Sequence, residues 1–112
     1  MAQIRLAQAD SGETAQLRVG DTVELCLPEV RSSGYRWRWS LPDAVRVVAD
    51  EHVRSRGVAP GEGSPGEGGV RRLALDVVGA GRHLLRAELA RPWEVEPRRS
   101  VTFVLAVTTP NE

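Results

Sequence analysis

Lysine is absent from this chain of 112 residues, and cysteine, methionine, phenylalanine and tyrosine occur once each. Without lysine there is no phosphate-binding P-loop, whose chemistry needs that side chain beside a glycine-rich turn. The single cysteine, Cys26, excludes an intrachain disulfide, so the fold must rest on a hydrophobic core. Its setting in Val23-Glu24-Leu25-Cys26-Leu27 predicts a half-buried structural thiol and not a nucleophile. Two histidines, His52 and His83, offer no ligand cluster at zinc spacing, so no metal and no other cofactor is expected. No apolar run is long enough for a signal peptide or a membrane-crossing segment. A soluble, cytoplasmic monomer is therefore expected, with any export signal absent or already removed. The formal net charge is zero, which removes an overall electrostatic drive toward nucleic acid or an anionic membrane. All 15 cationic side chains other than histidine are arginine, a bias that points to a GC-rich, bacterial genome and not to function.

What the chain does contain is alternation. At this length one domain is expected, spanning 1–112 with its core over about residues 15–108. Gln16-Leu17-Arg18-Val19 alternates polar and apolar residues, and Gly20-Asp21 then turns the chain into a strand with Val23, Leu25 and Leu27 on one face. Tyr35-Arg36-Trp37-Arg38-Trp39-Ser40 alternates most sharply and is expected to turn Tyr35, Trp37 and Trp39 toward the core. Val45, Val47 and Ala49 mark a weaker strand that continues irregularly through His52-Val53-Arg54. Leu73, Leu75 and Val77 share a face of the next strand, and Gly79-Ala80-Gly81 reverses the chain. His83, Leu85, Ala87 and Leu89 follow on one face, then Val101, Phe103, Leu105 and Val107 on another. No segment of helical length carries helical periodicity. Seven or so short strands predict an all-β, immunoglobulin-like antiparallel β-sandwich, with a small barrel as the structural alternative.

Three connections are long and unusual: Pro28 to Gly34, Gly57 to Gly69, and Arg91 to Arg99. The others, at Gly20-Asp21, Leu41-Pro42-Asp43 and Gly79-Ala80-Gly81, are short turns. Successive strands of a sandwich run up and down, so alternate connections emerge at the same end, and parity gathers the three long loops into one surface. The first has a narrow tip of serines and a glycine, whose backbone can approach another protein closely. The second is too rich in glycine and proline to order itself by side-chain packing. The third opens on Arg91-Pro92-Trp93, where proline stiffens the turn and the indole can stand out as an interface anchor or fold back as a plug.

These segments, in this order and at these junctions, resemble the chagasin family of cysteine-protease inhibitors. There the first loop reads Asn-Pro-Thr-Thr-Gly-aromatic with a Trp shortly after, the second Gly-x-Gly-Gly, and the third Arg-Pro-Trp. Ser32-Ser33-Gly34-Tyr35 with Trp37 matches the end of the first, Gly66-Glu67-Gly68-Gly69 the second, and Arg91-Pro92-Trp93 the third in full. The resemblance runs from about Leu17 to Val107. It departs at Val30-Arg31, which stands where the family has Asn-Pro, so the loop is expected to be looser and to carry an added positive charge.

The resemblance implies a reversible protein inhibitor, not an enzyme, whose partner is a papain-like cysteine protease. The three loops would enter the active-site cleft as a wedge, with Ser32, Ser33, Gly34 and Tyr35 over the catalytic pair and the Gly66, Glu67, Gly68 and Gly69 backbone along the substrate side. Trp93 would pack on the primed side, with Arg91 and Pro92 supporting the loop. The alternative is a non-inhibitory binding module that keeps the scaffold and recognises another protein. A small hydrolase is a poor third reading, since its Ser-His-Asp site would join Ser32 or Ser33 to a histidine, and His83 belongs to a strand face at the far end. Asp10, Glu13, Asp50 and Glu51 are scattered and expected to be solvated. Glu94 and Glu96 interrupt the basic cluster of Arg91, Arg98 and Arg99, so no nucleic-acid groove is implied.

Overall fold

The computed structural model describes residues 2–30, 33–53 and 69–109. Among these residues eight strands form: β1 (Gln3–Ala7), β2 (Thr14–Arg18), β3 (Thr22–Pro28), β4 (Arg36–Ser40), β5 (Val45–Val53), β6 (Val70–Val77), β7 (Gly81–Ala90) and β8 (Arg99–Thr108). They make two four-stranded sheets, ordered β1-β3-β6-β5 and β2-β8-β7-β4. The predicted sandwich is thus the observed architecture. The strand missing from the sequence reading is β1, where Ile4 and Leu6 alternate with polar residues over only five positions. Two pairings, β1 with β3 and β2 with β8, are parallel, which a purely antiparallel sandwich would not contain.

The core lies between the sheets because period-2 alternation puts every second side chain there. Val23, Leu25, Leu27, Leu73, Leu75 and Val77 from the first sheet meet Leu17, Trp37, Leu85, Val101, Phe103, Leu105 and Val107 from the second. Trp39 packs at the edge of this cluster. Tyr35 does not join it, contrary to expectation. The strand begins only at Arg36, and Gly34 just before it holds φ +82°, which turns the chain before the pleat begins. In β5 the pairing with β6 slips between Val47 and Ala49, leaving Val48 facing solvent, whereas the stretch expected to be irregular pairs in regular register at His52 and Val53, with Arg54 outside the described residues.

The outer face of the first sheet carries a cross-strand chain of ion pairs, Arg5 to Glu24 (2.9 Å), Glu24 to Arg72 (2.7 Å) and Arg72 to Glu51 (3.1 Å). Burial pushes the Glu24 carboxyl up, but hydrogen bonds from Arg72 and Cys26 and the charges of Arg72 and Arg5 outweigh it, and it lies below its ordinary range. Cys26 is half-buried, as expected, and its thiol is raised by burial and by donation to Glu24. Asp50 and Glu51 are exposed, as expected, but each is paired with an arginine. Asp50 accepts two hydrogen bonds from Arg71 and one from Trp39 Nε1, joining the sheets along one open edge.

Topology places the loops. The first leaves β3 where Pro28 pairs Val70 of β6, and arrives at β4 where Arg36 pairs Ala90 of β7. It therefore runs from beside the end of the second loop to beside the start of the third. The short connections fasten one another at the opposite pole, with Gly20 N donating to Val77 O (2.9 Å) and Val78 N to Ala44 O (2.7 Å).

Candidate functional site

Glu29 anchors the first loop, and nothing in the sequence reading singled it out. Only 1 % of the residue is exposed, although it carries a carboxylate. Oε2 accepts from the Trp37 amide (2.9 Å) and from Arg71 (3.0 Å), so the start of the loop is tied to its end and to β6. Trp37 Nε1 donates to Pro28 O (2.8 Å), closing the same base from the other side. Glu29 N donates to Gly69 O (3.2 Å), and Glu29 O lies 2.8 Å from His52 Nε2. The last residue of the second loop is thereby held against the first residue of the first. A polar residue just after the strand-ending Pro28 was the only available signal.

Beyond the base, the loop closes on itself. Ser33 N and Oγ both donate to Val30 O (3.1 and 2.6 Å), and Tyr35 N donates to Ser33 Oγ (3.2 Å). The serine hydroxyl thus links Val30 to Tyr35, while Arg31, where the added charge was expected, lies outside the described residues. Gly34 follows with the positive φ that an L side chain resists.

Arg91 joins the first loop to the third. Its Nε donates to Ser33 O (3.3 Å), and its guanidinium lies 4.4 Å from the Tyr35 ring centre and 5.8 Å from that of Trp93. Arg98 faces the same tyrosine at 5.2 Å. A Cβ built on Gly34 would stand 3.9 Å from the Trp93 ring, in ordinary contact, so the glycine tip and the indole are neighbours. Trp93 is 72 % exposed and Val95 92 %, which decides against the plug. Pro92 is exposed between Arg91 and Trp93.

The structure therefore brings Ser33, Gly34, Tyr35, Arg91, Pro92 and Trp93 to one end, with Gly69 at the foot of the first loop. Ser32, Gly66, Glu67 and Gly68 lie outside the described residues. His83 sits at the opposite turn with Nε2 2.9 Å from Ala80 O, a satisfied turn histidine. Among the described residues no group of three or more His, Cys, Asp or Glu side chains is placed to hold a metal. No helix among them is long and apolar enough to cross a membrane.

A two-sheet sandwich with a buried-carboxylate loop base, a glycine tip and an exposed tryptophan corner at one end defines a loop-presenting binding domain. The chain belongs to the chagasin family of peptidase inhibitors (I42), whose model matches residues 16–107. No curated protein sequence matches it. Among solved structures it is similar to the cysteine protease inhibitor EhICP2 from Entamoeba histolytica, at 24 % identity and a TM-score of 0.85 over 96 % of each chain. Amebosin is similar at 21 % identity and a TM-score of 0.74, over 95 % of this chain and 98 % of that one. PbICP-C, solved in complex with falcipain-2, is similar at 14 % identity and a TM-score of 0.54, over 97 % and 99 %. At these identities the likeness is one of fold.

Proposed function

We propose that the protein is a reversible inhibitor of papain-like cysteine proteases that wedges its three-loop end into the active-site cleft. The observation that carries this reading is Arg91, which ties the glycine tip to the tryptophan corner while leaving the indole in solvent. The arginine link sets Ser33 and Trp93 side by side before binding, so less freedom is lost there on association. Ser33 and Gly34 present backbone to the catalytic cysteine with no side chain large enough to hold the chain away. Ser33 Oγ is committed to its own turn, and blocking is steric. Ser32 completes the tip, and the Gly66 to Gly69 backbone pairs with the substrate groove in the manner of strand addition. Trp93 supplies the apolar anchor.

Titration of papain and of a cathepsin L-like enzyme with the purified protein tests the proposal. Stoichiometric or near-stoichiometric loss of peptidase activity, recovered on dilution and without cleavage of the inhibitor, is expected. Full activity at micromolar protein would leave the scaffold as a binding module for another partner.

A further inference from the structure

Beside the first loop lies a cavity of about 350 Å³. Its wall is apolar at Pro28, Val30, Tyr35 and Leu89, and cationic at Arg98 and Arg99. Val30 supplies an aliphatic surface at this point. The Arg98 guanidinium lies 5.2 Å from the Tyr35 ring centre, and Arg98 and Arg99 are both exposed. Neither takes part in an ion pair among the described residues, although Arg5, Arg46, Arg71, Arg72, Arg86 and Arg91 all do.

The position of this cavity decides what it means. Ser33 lines it too, so a protein that covers the glycine tip also covers the cavity mouth. Two guanidinium groups, neither ion-paired among the described residues, would then lose water, which is costly unless the incoming surface supplies the anion. An apolar wall beside two guanidinium groups selects a segment that carries an aliphatic or aromatic side chain next to a carboxylate. We infer that this cavity is a specificity subsite for an acidic, partly apolar segment on the cleft rim of the target protease. The inference rests on the inhibitor reading above and names the kind of protease it favours.

The test is inhibition of papain and of cathepsins of the B and L types by three proteins, each at low and high ionic strength. The three are the wild type, the Arg98→Gln/Arg99→Gln variant and the Arg98→Lys/Arg99→Lys variant. For the enzyme that the wild type inhibits most tightly, the glutamine variant should bind at least tenfold more weakly and lose most of the salt dependence. The lysine variant should keep that salt dependence, which a purely stacking role for Arg98 would not. Equal inhibition by all three at both ionic strengths overturns the subsite while leaving the inhibitor reading intact. No inhibition by the wild type of any of the enzymes overturns the inhibitor reading itself.

Discussion

Trp93 and Glu29 show how differently two residues at one end of a fold can act. Trp93 gains almost nothing from folding, since most of its surface stays in water, and a large exposed aromatic on a stiff turn is worth most when a partner covers it. Trp93→Ala should therefore weaken protease binding by more than about 2 kcal/mol. Its effect on stability should stay within about 0.5 kcal/mol, as for surface substitutions generally. Inhibition constants and thermal melts on the same preparation separate the two effects, and a large drop in melting temperature with unchanged inhibition would make the indole structural. Glu29 is the reverse case. Its carboxylate is sealed from solvent and touches no partner surface, yet it bonds the amide of Trp37 and the guanidinium of Arg71. Removing one partner of such a buried pair leaves the other uncompensated.

Between elements, the coupling runs through backbone. The β3–β6 ladder continues one step past the strands, from Glu29 N to Gly69 O, and a Cβ at Gly69 would stand 2.5 Å from His52 Nε2 and 2.6 Å from Glu29 O. Nothing bulkier than glycine fits unless β3 or β5 gives way. Gly69→Ala should cost about 1–3 kcal/mol of stability, as overpacked sites do. It should also loosen the first loop, raising the inhibition constant and speeding amide exchange at Trp37. A variant with wild-type exchange at Trp37 and wild-type inhibition would show that the two loops are set independently. Arg91 performs the corresponding task on the other side, through a side chain reaching from just past β7 to the first loop. The central loop is thus held from both flanks, and this follows from its route between sheets, beside β6 at one end and β7 at the other.

Over the whole molecule, the ionic network sets the response to acid. Asp50 is held below its ordinary range by hydrogen bonds and charge from Arg71, which outweigh burial, with a further bond from Trp39. Asp21 is lowered by hydrogen bonds from the Ala2 and Arg18 amides, and Glu24 by the balance already described. Each folded-state value lies below the unfolded one, so the stabilisation is complete above the unfolded carboxylate range and disappears as pH falls through the folded values. Thermal midpoints should be nearly flat between about pH 5 and 7 and should fall steadily below about pH 4. Asp50→Asn and Glu24→Gln should lower the midpoint at neutral pH and flatten its acid slope. A slope unchanged in both variants would place the acid-sensitive groups elsewhere.

Much of this architecture was legible in residue order. Alternation with period 2 marks strands because a pleated backbone sends successive side chains to opposite faces, and it correctly named Leu25, Leu75, Phe103 and Leu105 as core. Loop parity needed only the count of strands between the three long connections. The short β1 escaped because five residues give too few alternations to stand out, although its loss from the count left that parity unchanged. Tyr35, Glu29 and Asp50 were misjudged or missed because their partners lie on other strands. Stacking under Arg91, pairing with Arg71 and donation from Trp39 are contacts between residues distant in the chain, and no local pattern encodes them.

The order of residues by itself determined the strand periodicity, the composition of the three loops and the motif set that resembles the chagasin family, since each is a property of neighbouring positions along one backbone. Only the tertiary structure decided that the indole of Trp93 faces water, that a buried glutamate fastens two loops together, and that two arginines border a partly apolar cavity. Burial and charge pairing depend on what the rest of the fold brings within a few ångströms of a side chain, and that is set by sheet topology.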